Sequence, residues 1–167
     1  MLAPLVLWWS LLGEGRAAVF DRVVASVEQS VITSSDVQIE EAIAALDRSP
    51  SPFWDPTHGD ALTRLIDAEV VRSLAGSVRA YQPSDDEVAM RIDAIRGSFS
   101  ERAAWVTFTS RWGLDEPALR ALLIRRMVVE RYLARVIAED DPTVWRAACD
   151  EWLIDQRANL RVRRVTP

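Results

Sequence analysis

Arg22-Val23-Val24-Ala25-Ser26-Val27-Glu28-Gln29-Ser30-Val31-Ile32-Thr33-Ser34-Ser35-Asp36 is the stretch on which the fold turns. Its valine-rich first part reads as a strand, because β-branched side chains suit a pleated, half-buried surface. Glu28-Gln29-Ser30 is a turn, and Val31-Ile32 opens a second short strand. Thr33-Ser34-Ser35-Asp36 has the form of a capping box, with Ile32 and Val37 placed as its hydrophobic staple. A helix therefore follows, carrying Ile39, Ile43 and Leu46 on one side, with Glu40 and Glu41 elsewhere.

A two-stranded hairpin is marginal on its own. At the other end of the chain Leu160-Arg161-Val162-Arg163 alternates apolar and charged side chains, the pattern of a strand with one solvated face. Joining it to the hairpin would make a three-stranded sheet and bring the chain ends together. Between the ends lie helices. Asp47 to Thr57 is a Pro-rich loop that forbids a continuous helix. A second helix is expected from about Asp60 to Arg79, with Leu62, Leu65, Ile66, Val70 and Leu74 at helical spacing. Ser84-Asp85-Asp86-Glu87 is a second capping box, followed by Val88, Ile92, Ile95 and Phe99 on one face. A fourth helix from about Ser100 carries Ala104, Trp105, Phe108 and Trp112 and ends at Gly113 in a left-handed cap. Asp115 and Pro117 start the fifth, whose stripe is Leu119, Leu122, Leu123, Met127, Leu133, Val136 and Ile137. Glu139-Asp140-Asp141-Pro142 opens the sixth, with Val144, Trp145, Ala148, Trp152 and Ile154. The expected fold is mainly α, about five to six helices with a small antiparallel sheet formed by the N-terminal hairpin and the C-terminal strand.

The composition is globular: 167 residues, 49% hydrophobic and 27% charged. A domain of this size buries roughly 70% of its unfolded surface. The net charge of −5 gives no reason to expect a nucleic acid partner. The single Cys149 cannot form an internal disulfide and is read as a small residue packed on a helix. One Cys and one His, His58, are too few for a structural zinc site.

Leu2 to Leu12 is an apolar run, too short to span a bilayer but suited to the core of a secretory signal peptide. Gly15 and Ala17 fit the small-residue positions of a cleavage site before Ala18. Residues 1–17 are thus expected to be a signal peptide and residues 18–167 one domain, exported to the periplasm, with no stable membrane insertion after cleavage. No Lys or Arg precedes the run, so an uncleaved anchor and an ordinary core helix are the alternative readings.

The segment Phe20–Val37 resembles the opening of the SurA-type chaperones. Asp60–Glu69, Ser84–Val88, Trp112–Glu116 with Leu119–Leu123, and Glu151–Ala158 with Leu160–Val162 are similar to that family's later helices and closing strand, in the same order. The family usually inserts parvulin-type prolyl-isomerase domains before the last helix. Here only about Ala138 to Thr143 separate the fifth and sixth helices, which leaves no room for one. The resemblance implies a chaperone core module built from both chain ends, binding unfolded outer-membrane polypeptides, without isomerase chemistry.

No catalytic constellation is expected. His58 and Asp60 lie near Ser51, but nothing there resembles an activated serine turn. The acidic clusters Glu40-Glu41, Asp85-Asp86-Glu87 and Glu139-Asp140-Asp141 lack calcium-loop spacing and read as helix-start charges and solvated faces. Arg161, Arg163 and Arg164 read as a charged strand edge that discourages aggregation. The large rings stand out: Phe53, Trp54, Trp105, Phe108, Trp112 and Tyr132 are the candidate polypeptide-binding residues. Trp145 and Trp152 add to the count, and most of the rings are expected in the core. The expected function is ATP-independent binding of unfolded envelope polypeptides in an apolar cleft, with no cofactor and no metal. The alternative is an adaptor that docks one specific envelope partner.

Overall fold

A computed structural model describes residues 21–57 and 59–165. The expected signal peptide and His58 lie outside the described residues. Strands β1 (Val23–Val27) and β2 (Ser30–Thr33) form the hairpin, and β3 (Val162–Arg164) adds to the other side of β1 in the order β2-β1-β3. Both pairings are antiparallel, with Val27 opposite Ser30 on one side and Val162 on the other. The first and last strands of the described residues therefore zip together, as the two extended segments anticipate.

The hairpin turn is unusual in chemistry. Glu28 sits at φ 50°, in the left-handed region that favours glycine. It is held there by the closing strand: its N–H donates to the Arg161 carbonyl at 2.9 Å, and its carboxylate accepts from the Arg161 N–H at 2.7 Å. A register shift between Val23 and Ala25 marks a bulge in β1. It leaves the Val24 carbonyl facing the other neighbour, where it accepts from Val165 N–H at 2.8 Å.

Among the described residues there are six α-helices: α1 (Ser34–Ala44), α2 (Ala61–Ala75), α3 (Asp85–Arg96), α4 (Arg102–Trp112), α5 (Glu116–Val136) and α6 (Pro142–Ala158). Both capping boxes form. Thr33 Oγ1 accepts from Asp36 N–H at 3.3 Å while Asp36 accepts from Thr33 N–H at 2.8 Å. Ser84 and Glu87 repeat the arrangement on α3. Those bonds, with Arg131 beside them, hold the Glu87 carboxyl down to about 2. Asp115 caps α5 and Asp141 caps α6, each with proline in the first turn. Gly113 ends α4 at φ 61°, as its position implies.

Helix α2 stops earlier than its periodicity suggests. Gly76 takes φ 55° and ψ −144°, a backbone state open to glycine, and the chain turns before Arg79. Leu74, inside the last turn of the helix, lies on its solvent side, 38% exposed. Val144 and Ile154 likewise point outward from α6, whose buried face is Trp145, Cys149 and Leu153. In these helices the inward stripe is narrower than the apolar one.

The core has two clusters. The first joins the inner face of the sheet (Ala25, Val27, Ile32), α2, α6, the C-terminal half of α5 and the rings Phe53 and Trp54. The second joins Ile43 of α1, Val88, Ile92 and Ile95 of α3, and Leu114, Leu119 and Leu123 at the start of α5. Helix α5 is the spine shared by both. Helix α4 rests on the second cluster through Trp105, Phe108 and Trp112 and buries none of its side chains completely.

Candidate functional site

Charged side chains are buried where the two clusters meet. Glu40, Asp47, Arg64 and Arg126 are each less than a tenth exposed. Arg126 donates from Nη1 to Glu40 Oε2 at 2.5 Å and from Nε to Asp47 Oδ2 at 2.9 Å. Arg64 Nε reaches Glu40 Oε1 at 3.3 Å. Arg91 bridges Asp47 and Glu130 with four bonds of 2.7–2.9 Å. The chain is thus three arginines against three carboxylates. Burial raises the Glu40 pKa, and the charges of Arg126 and Arg64 pull it back only in part. Sequence periodicity placed Glu40 away from the apolar side of α1, on a solvated face; it is buried because α2 and α5 cover that side and supply its arginines. Its partners are 24 and 86 residues away along the chain, so no local pattern signals it.

Trp54 completes this centre. The Pro-rich loop folds into one 3₁₀ turn, Pro52–Trp54, capped by Ser51. The turn drives Phe53 and Trp54 inward, to 1% and 3% exposure, and sets the Arg126 guanidinium 3.9 Å from the Trp54 ring centroid, a cation–π contact.

Beside the centre opens a groove of about 330 Å³. One wall is Val31, Ile32 and Ile39 from β2 and α1; another is Leu65 and Ala68 of α2; the third is Trp112, Leu114, Ala118, Ala121 and Leu122, where α4 turns into α5. Trp54, Glu40 and Arg126 also border it, as do Asp36, Glu69, Arg72 and Arg125. Clefts of this size and lining suit small apolar ligands or one to two side chains of a longer chain.

The six candidate rings separate. Only Trp54 and Trp112 border the groove. Phe53 is core. Trp105 and Phe108 pack with Phe99, their centroids 5.3–6.2 Å apart, and Phe99 and Trp105 line a different depression together with Arg96. Tyr132 stacks edgewise on Tyr81 at 5.2 Å and near Trp152 at 6.0 Å, away from the groove. The aliphatic lining, above all Ile39, Leu65 and Leu122, reads in sequence as core stripe, so nothing there sets it apart. Among the described residues no group of side chains is arranged to hold a metal ion, and no helix is long and apolar enough to cross a membrane.

Cys149 is fully buried, and burial pushes its thiol up to about 12, which keeps the nucleophilic thiolate scarce. Arg161, Arg163 and Arg164 are exposed on and beside β3, the edge strand of the sheet among the described residues, where charge discourages edge-to-edge pairing. No family model matches this chain, and no curated protein matches it either.

Proposed function

We propose that this protein binds non-native polypeptide segments reversibly, without nucleotide and without making or breaking a bond, as a SurA-type chaperone core would. One observation carries the reading: an open, apolar-walled groove persists beside the buried charged centre. Its walls come from β2, α1, α2 and α5, so the zipped chain ends help to shape it. The element order also agrees with the resemblance, from hairpin through helices to a closing strand on β1. The apolar N-terminal run makes unfolded envelope proteins in the periplasm the natural clients.

The test is suppression of aggregation of a urea-unfolded outer-membrane protein on dilution. A stoichiometric amount of this protein should slow aggregation without ATP. Ala121 is exposed at the lip of the groove, so Ala121→Trp fills the opening while sparing the core. That variant should lose most of the protection. No affinity for several unfolded outer-membrane proteins would refute the reading.

A further inference from the structure

Two buried donors beside the groove have no acceptor among the described residues: Trp54 Nε1 and Arg126 Nη2. Both residues border the groove. They are 3% and 2% exposed, and the guanidinium lies against the indole, so the donors belong to one stacked unit. Buried N–H groups nearly always find a partner, and one left unmade carries a desolvation penalty. The neighbouring acceptors are already shared. Glu40 takes Arg64 and Arg126, and Asp47 takes Arg91 and Arg126.

We propose that these donors are met by backbone carbonyl oxygens of an extended, uncharged, apolar polypeptide segment lying in the groove. This rests on the reading of the groove as a polypeptide site and names what it recognises. Charge selects the occupant. Arg64, Arg91 and Arg126 already balance Glu40, Asp47 and Glu130. Asp36 and Glu69 balance Arg72 and Arg125 among the groove residues. A carboxylate placed beside Glu40 would set a second buried negative charge against one whose arginines are already shared. A peptide carbonyl supplies the acceptor and no charge. An extended segment has carbonyls to offer, whereas a helix spends its own internally. Both donor atoms are closed to bulk water, so a wall must yield as the segment enters. Helix α4, which brings Trp112 to the groove and buries no side chain completely, is the wall held least.

The experiment is calorimetric titration with a panel of neutral hexapeptides of Leu, Phe, Val and Ser, acetylated and amidated. Trp54→Phe keeps an aromatic face and removes the donor together with part of the indole; it should bind about fivefold to tenfold more weakly, the worth of one hydrogen bond. Its urea midpoint should fall, because the smaller ring leaves a cavity at a 3% exposed site, so affinity is compared on protein shown by circular dichroism to be folded. A ligand-side series needs no protein variant: replacing single amides by trans-alkenes keeps the extended shape and deletes one carbonyl with its N–H at a time, and matched esters, which lose the N–H but keep a carbonyl, separate the two. One or two positions should cost about tenfold. Equal affinity across the alkene series, or for Trp54→Phe, overturns the carbonyl assignment while leaving polypeptide binding in place. A requirement for a free terminal carboxylate overturns it as well. Failure of the whole panel and of unfolded outer-membrane proteins to bind the wild-type protein sinks both readings.

Discussion

Replacing Arg126 by Met tests the buried centre most directly. The side chain is 2% exposed and its two ion pairs, at 2.5 and 2.9 Å, lie among Trp54 and the helices α1 and α5. Methionine roughly matches the aliphatic stem, so the change removes charge more than volume. Breaking a buried pair from one side typically costs about 3–5 kcal/mol, because the remaining carboxylate stays desolvated without its partner. Here Glu40 keeps Arg64 and Asp47 keeps Arg91, so about 3 kcal/mol is expected. Against a typical total of about 5–15 kcal/mol, that is a large share. Urea unfolding followed by circular dichroism would show a lower midpoint with the slope unchanged. The pH dependence supplies the signature. Burial already raises the folded-state pKa of Glu40, and losing Arg126 raises it further. Between the unfolded and folded values the native state holds the extra proton, so stability falls as pH rises and recovers as pH drops. The deficit of Arg126→Met should therefore shrink from pH 7 to pH 5, and Glu40→Gln should restore part of it at pH 7. A loss under 1 kcal/mol at pH 7, or a deficit that grows on acidification, would refute the electrostatic account.

Two further expectations concern α2 and α6. Burial raises Asp67 from 3.8 to about 6 despite Arg157, whose Nε lies 2.9 Å from Asp67 Oδ1. The native state thus keeps a proton that the unfolded chain releases, and stability falls as pH rises between these two values, by at most about 3 kcal/mol. Asp67→Asn should flatten the curve there, and an unchanged slope would show that another group governs it. Cys149, buried and with its thiol held protonated at neutral pH, should react with a thiol reagent no faster than the protein opens; rapid labelling of the native protein under non-denaturing conditions would contradict that packing.

Local signals carried most of the architecture. Thr33 with Asp36, Ser84 with Glu87, Asp115 with Pro117 and Asp141 with Pro142 mark helix starts that need no distant partner, because each satisfies the backbone donors of its own first turn. The alternation at residues 160–163 and the valines of β1 likewise specify extended chain, and few other arrangements could satisfy both edges. The register was less legible. Glu28 at a left-handed φ is tolerated through Arg161, 133 residues away.

Burial and the site depended on tertiary structure. Amphipathic spacing identifies which side of a helix is apolar; it does not say how much of that side a neighbour covers. Leu74, Val144 and Ile154 stay outside for want of cover, whereas Glu40 is enclosed because Arg64 and Arg126 arrive from other helices. Phe53 and Trp54 go inward because one short turn in a Pro-rich loop aims them there. Ile39, Leu65 and Leu122 have the same chemistry as the core, and they line a groove only because the helices around them stop short of meeting. Hydrogen bonds within a turn are written in adjacent residues, but an empty space is a property of surfaces brought together, and no single stretch of the chain encodes it.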